Sequence, residues 1–134
     1  MSVALVIVSH SKKLAEGVAE LTGQMNSGQV QILPAGGTDD GELGTSAPRI
    51  GAALEDALAG GHEALILMDL GSAYLSSTLA LEFLTEEQRQ RVALAEAPLV
   101  EGAFLAAFEA ASGGSLAEVR AAAEGGHELK KIAD

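Results

Sequence analysis

Two uninterrupted apolar runs, Val-Ala-Leu-Val-Ile-Val at 3–8 and Ala-Leu-Ile-Leu-Met at 64–68, constrain this chain more than any other feature. A half-exposed strand alternates apolar and polar residues. A run without alternation reads as a strand buried on both faces, the mark of a parallel sheet with helices on each side. The intervening segments fit that reading. Leu14, Val18, Leu21 and Met25 recur at helical spacing within 14–25. Val-Gln-Ile-Leu-Pro at 30–34 reads as a second strand. A glycine-rich loop at 36–45 leads to a helix near 46–59, with Thr45 or Ser46 as its cap and Pro48 in its first turn.

Beyond the third strand, at 64–69, the pattern predicts a helix over about 74–84 and a short capped turn from Thr85 to Gln88. A strand near 92–95, a helix near 99–111 and a last helix capped by Ser115 and Glu118 follow. The tail, His-Glu-Leu-Lys-Lys-Ile-Ala-Asp at 127–134, is readable as helix, strand or disorder. Strands alternating with helices through right-handed crossovers predict an α/β fold. The expected form is one domain over 1–134, a doubly wound, mainly parallel sheet of four to five strands in the order 2-1-3-4.

Composition excludes several functions. The chain has 134 residues, 48% of them hydrophobic, enough for one core. It has no cysteine, which removes disulfide scaffolds, thiolate metal sites and cysteine nucleophiles together. Nineteen acidic residues against eight Lys and Arg give a formal charge of −11, which argues against neutralising a nucleic-acid backbone. With no Trp and one Tyr, platforms for stacking bases are nearly absent. No apolar run has the length of a membrane span, and 3–8 is too short for a signal-peptide core, so a cytoplasmic protein is expected.

In such a sheet the carboxyl ends of the strands share one edge, and ligands bind where the strand order reverses. With order 2-1-3-4 that point lies between the first strand, closed by His10, and the third, closed by Asp69. The glycine-rich loop after the second strand reaches the same edge. A histidine's ordinary pKa of about 6.5 leaves the ring largely neutral and nucleophilic near neutral pH. A carboxylate accepting one ring N–H fixes the tautomer, as the aspartate of a catalytic triad does, and leaves the other nitrogen free to attack. Glycines at 36, 37, 41, 44 and 71 allow backbone N–H groups close to an anion, and Ser11, Thr38, Thr45 and Ser72 add hydroxyls. Lys12 and Lys13 open a helix, where cations oppose the macrodipole; an arriving anion explains them. Phosphoryl transfer through a phosphohistidine is the chemistry suggested. Taken singly, these residues read more readily as a turn or surface histidine, a helix-capping aspartate, solvated lysines and ordinary loop glycines; it is their convergence on one edge that favours chemistry. His62 and His127 read as structural.

The segments LVIVSHSKKLAEGV (5–18), AGGTDDGELGTSAPRI (35–50), LMDLGSAYLSSTLALEFL (67–84) and APLVEGAFLAAFEAASG (97–113) resemble the EIIA-mannose superfamily of phosphotransferase-system proteins. Within it they resemble the phosphoryl-donor subunits of phosphoenolpyruvate-dependent dihydroxyacetone kinases. The resemblance implies that His10 is phosphorylated and that Asp69 orients it. Ser11, Lys12, Gly37, Thr38, Thr45, Gly71 and Ser72 would bind or support the phosphate. It implies HPr as donor, ADP on a DhaL subunit as acceptor, DhaK in the same system, a homodimer, and neither metal nor cofactor. The chain being too short for added HPr-like or enzyme I-like domains, a separate HPr is expected. Tyr74 and Glu42 depart from the pattern, and the Glu42 side chain is expected to point outward. Three alternatives share parts of this site. They are the EIIA component of a mannose-type transporter, a small tetrapyrrole metal chelatase needing further ligands, and a response-regulator receiver lacking its acidic pair after the first strand.

Overall fold

The computed structural model describes residues 2–25 and 28–133. In chain order it contains β1 (Val3–Ser9), α1 (Lys12–Met25), β2 (Ile32–Gly36), α2 (Ala47–Ala59), β3 (Glu63–Met68), α3 (Ala73–Leu81), α4 (Glu86–Arg89), β4 (Val92–Leu94), α5 (Leu99–Ala111) and α6 (Leu116–Glu124). A single 3-10 turn, Gly125–Glu128, follows α6. The four strands form one all-parallel sheet in the order β2-β1-β3-β4. The expected order is therefore found, with four strands and no antiparallel member among the described residues.

β1 lies at the centre, buried along its whole length. Its side chains alternate between two cores. Ala4, Val6 and Val8 meet Ile50, Leu54, Ala57 and Ala80 from α2 and α3. Val3, Leu5 and Ile7 meet Ala15, Val18, Ala103, Ala106 and Val119 from α1, α5 and α6. The absence of alternation in the sequence is thus the direct result of burial on both faces.

Local signals explain most boundaries. Ser46 caps α2 by accepting a hydrogen bond from the Arg49 amide, with Pro48 in the first turn. Capping boxes open α4 at Thr85–Gln88 and α6 at Ser115–Glu118. Four expectations need correction. β2 runs over Ile32–Gly36 rather than 30–34, because Pro34 is tolerated on an edge strand and the chain continues in register beside Val8 and Ser9. α3 ends at Leu81 rather than near 84, since the amides of Glu82, Phe83 and Leu84 bond carbonyls three residues back and tighten the turn. β4 stops at Leu94.

The fourth concerns α1, whose buried face is Ala15, Val18 and Thr22, while Leu14 and Leu21 are exposed. A Cβ at Gly36 would lie 2.8 Å from that of Ala15, so only a small residue of α1 faces β2 there. Met25, also placed on that stripe, has its side chain outside the described residues. The tail forms no strand over 127–133. Lys131 pairs with Glu101 of α5, and His127 Nε2 lies 3.0 Å from the Glu96 carbonyl. No described helix is long and apolar enough to cross a membrane.

Candidate active site

β1 and β3 bring two distant segments side by side. Val8 and Met68 are the last residues in register, and the Asp69 amide donates to the Val8 carbonyl at 3.1 Å. The next residues, Ser9, His10 and Asp69, therefore emerge together at the carboxyl edge, beside the strand-order reversal.

Asp69 is the hub of a hydrogen-bonded cluster. Its Oδ2 accepts from the His10 amide at 2.9 Å and the Ser9 hydroxyl at 3.0 Å. Its Oδ1 accepts from His10 Nδ1 at 3.0 Å and the Leu70 amide at 2.7 Å. Burial pushes this carboxyl's pKa up, but the amide and ring of His10, the Ser9 hydroxyl and the Leu70 amide together hold it below the ordinary aspartate value. An ionised carboxylate only accepts, so Nδ1 carries the ring proton and Nε2 of the neutral ring holds a lone pair. The Ser72 hydroxyl lies 2.8 Å from that Nε2 and donates to it. Ser72 stands at the N-cap of α3 but makes no capping bond, which leaves its hydroxyl for the imidazole. The His10 side chain is 28% exposed and that of Asp69 11%, so one nitrogen faces the open edge while the other is anchored inside.

The remaining candidates frame this cluster. Ser11 caps α1 by accepting from the Leu14 amide. Lys12 and Lys13 follow as exposed residues of the first turn. Gly37, with φ of 78°, donates its amide to the Ser9 carbonyl at 3.1 Å, and the Gly44 amide donates to the His10 carbonyl at 2.7 Å. Thr38 folds the loop on itself through its hydroxyl and the Glu42 amide. Thr45 binds Ser76 of α3. The hydroxyls of Ser11 and Thr38 thus organise backbone amides and that of Thr45 ties the loop to α3, whereas that of Ser72 touches the imidazole. Gly71 sits exposed between Asp69 and Ser72, and the Glu42 side chain points outward. Tyr74 is half-exposed and lines a groove beside β4 with Met68 and Arg120.

His62 and His127 lie away from this cluster. His62 bonds Ser2 at the opposite edge of the sheet. Among the described residues, no three His, Asp or Glu side chains gather as a metal site. Two residues have surroundings that the sequence did not convey. Ser9 is a fully buried hydroxyl closing an otherwise apolar strand, and that contrast is its signal. Gly36, read as one of the glycines that admit an anion, is where α1 crosses β2 so closely that a Cβ would lie 2.5 Å from the Ser11 carbonyl.

Comparison with known proteins gives a consistent picture. The family model EIIA-man, described as the PTS system fructose IIA component, matches residues 4–120. The phosphoryl donor subunit DhaM of the PEP-dependent dihydroxyacetone kinase of Escherichia coli K12 is 46% identical over 120 residues, 87% of this chain. The chain spans only 25% of that relative's length. The DhaM of dihydroxyacetone kinase 2 of Listeria innocua is 42% identical over 107 residues, covering 80% of this chain and 85% of that protein. A crystal structure of a protein of unknown function, EF1359, superposes with a TM-score of 0.84 at 41% identity, over 92% of this chain and 94% of the other.

Proposed function

Because the chain belongs to the EIIA-man family, we propose that it is a phosphohistidine carrier, the phosphoryl donor subunit of a dihydroxyacetone kinase, with His10 as the phosphorylated residue. The observation that carries this reading is the imidazole held between Asp69 on Nδ1 and an exposed hydroxyl on Nε2.

The chemistry follows from that arrangement. The Nε2 lone pair attacks the phosphorus of a donor phosphohistidine, the new N–P bond forms, and the donor's N–P bond breaks to release its imidazole. The proton stays on Nδ1, and Asp69 stabilises the positive charge that develops on the ring. The Ser72 hydroxyl rotates away from Nε2 and donates to a phosphoryl oxygen instead. The N-termini of α1 and α3 face this edge and favour the incoming negative charge, with Lys12 beside them. In the second half-reaction an oxygen of the ADP β-phosphate attacks the same phosphorus, and the His10 N–P bond breaks.

HPr fits as the donor and a DhaL subunit carrying ADP as the acceptor, with DhaK binding dihydroxyacetone in the same system. A protein donor suits an imidazole at an open edge. Leu43 at 81% and Leu70 at 62% exposure adjoin in sequence Gly44 and Asp69, both bonded to His10, and would meet a protein docked over the imidazole. A homodimer and a cytoplasmic location belong to the same reading.

The test is intact-mass analysis after incubation with phosphoenolpyruvate, enzyme I and HPr. One added phosphoryl group, labile in acid, stable in alkali and absent from His10→Ala, is the expected result. No added mass on a folded wild-type protein with competent donors would overturn the reading. Transfer onward to ADP on DhaL separates the kinase role from that of a sugar-transporter EIIA component.

A further inference from the structure

We infer that Ser9 is a positioning residue: its buried hydroxyl locks the Asp69 carboxylate so that Oδ1 stays on the Nδ1–H of His10 and Nε2 remains the nucleophile. This inference rests on the phosphohistidine reading but begins from an independent oddity. Ser9 ends β1, is completely buried, and is the one polar side chain in a seven-residue strand. Burying a hydroxyl is unfavourable unless it is fully bonded.

It is fully bonded, and in one sense only. The Ser11 amide donates to Ser9 Oγ at 3.0 Å, and the Ser9 hydroxyl donates to Asp69 Oδ2 at 3.0 Å. The amide cannot accept and the ionised carboxylate cannot donate, so the hydroxyl has no second orientation. A serine that only shaped the turn into α1 would need the first bond and not the second.

The second bond has a consequence for the ring. Of the four donors on Asp69, two are backbone amides and one is the His10 ring itself. The Ser9 hydroxyl is thus the side chain that holds the carboxylate without touching the reacting atoms. Rotation of the carboxylate about its Cβ–Cγ bond would break the Ser9 contact and move Oδ1 off Nδ1. Without that restraint, the preference for the Nδ1–H tautomer weakens, and the fraction of rings with a free Nε2 falls. Backbone bonds at this residue, such as that from the Gly37 amide to the Ser9 carbonyl, are untouched by side-chain replacement, so substitution isolates the hydroxyl.

The experiment records imidazole nitrogen-15 shifts of His10 in unphosphorylated wild type, Ser9→Ala and Ser9→Thr at neutral pH, alongside melting curves. Wild type should show Nδ1 protonated and Nε2 bare. In Ser9→Ala the ratio of the two tautomers should fall about three- to tenfold, the net worth of one ordinary hydrogen bond. Ser9→Thr, which keeps the hydroxyl on a β-branched residue suited to a strand, should restore it. The rate of phosphoryl acceptance at saturating donor should fall in Ser9→Ala in step with the fraction of rings whose Nε2 is bare, with the donor KM unchanged. A folded Ser9→Ala protein with the wild-type tautomer ratio and rate would overturn the inference, as would a loss confined to KM. Should Ser9→Ala fail to fold, Ser9→Cys keeps the shape with a weak donor, and a wild-type tautomer ratio there would be equally fatal. The ring signals need no phosphoryl donor, so a failure of the carrier reading is seen separately as a wild type that gains no phosphoryl group.

Discussion

Replacing Asp69 by asparagine keeps the shape of the side chain but turns two acceptors into one acceptor and one donor. Four donors converge on this carboxylate, two on each oxygen, at 2.7–3.0 Å. In one orientation of the new amide, its NH₂ faces the His10 amide and the Ser9 hydroxyl. The hydroxyl can turn to accept, but the His10 amide loses its partner. In the other orientation the NH₂ faces the Leu70 amide and His10 Nδ1. The Leu70 amide is then orphaned, and the ring adapts only by moving its proton to Nε2, the atom proposed to attack. Either way one backbone N–H is left unpaired, at about 1–3 kcal/mol, and the charge-assisted bonds weaken. Relief from burying a charge offsets part of this. The expected net loss is about 1–3 kcal/mol, or roughly 3–10 °C in Tm for a domain of this size.

Phosphoryl acceptance should fall far more, by about 10²–10⁴-fold, the upper end being what a triad loses when its orienting aspartate becomes asparagine. Time-resolved intact mass with saturating phosphorylated donor measures this, and thermal melts measure the stability. The stability gap also has a pH signature. The Asp69 carboxyl is held below its ordinary value, so its contribution is fully present above the ordinary aspartate pKa of about 3.9. It is lost as pH falls through the lower folded-state value. The gap between wild type and Asp69→Asn should therefore hold from pH 8 to 5 as far as this group is concerned, and close below about 4. An asparagine variant that is folded and accepts phosphate within threefold of the wild-type rate would refute the reasoning.

Other substitutions test the scaffold that presents the pair. Gly36→Ala places a Cβ 2.5 Å from the Ser11 carbonyl oxygen and 2.8 Å from the Ala15 Cβ, so the start of α1 must move. The expected loss is about 1–3 kcal/mol, read as a lower urea midpoint at unchanged m, with His10 phosphorylation slowed as well. Leu54→Ala empties a fully buried position between α2 and the sheet and should cost about 3–5 kcal/mol by urea unfolding, leaving the His10 tautomer unchanged in the protein that remains folded. Ser115→Ala removes the cap that accepts from the Glu118 amide, for an expected loss of about 1 kcal/mol and a phosphorylation rate equal to wild type.

The fold was legible because its signals are local and strong. β1 and β3 announce double burial by their lack of alternation, and the boxes at Thr85–Gln88 and Ser115–Glu118 are formed as read. What local pattern could not supply was the rotation of α1. Helical spacing alone puts Leu14 and Leu21 on the core face, yet the tight crossing at Gly36 turns Ala15 inward and leaves both leucines in solvent. The site divides along the same line. His10 and Asp69 were found because topology alone brings two strand ends together. Which hydroxyls reach the imidazole depends on side-chain directions. Ser72, Ser11, Thr38 and Thr45 look alike in sequence, and Ser9, polar at the end of an apolar strand, gives no sign there of which group it bonds.

That division also explains how a partly exposed imidazole is held in place. His10 and Asp69 are 59 residues apart, but the ladder between β1 and β3 sets their separation, down to the bond from the Asp69 amide to the Val8 carbonyl. Backbone amides supply two of the four bonds to the carboxylate and the buried Ser9 hydroxyl a third, so its orientation is set at the sheet edge by groups that are themselves fixed. The imidazole can then remain 28% exposed and still be confined to one tautomer. Among the described residues the one hydrogen bond to Nε2, the nitrogen proposed to attack, comes from a surface hydroxyl, that of Ser72, which a single torsional change removes. A small-molecule enzyme must exclude water by enclosing its substrate. A carrier that both receives and surrenders its phosphoryl group to other proteins needs the opposite, a nucleophile reachable by two different surfaces in turn. An orienting network below the ring and one hydroxyl above it meet that requirement.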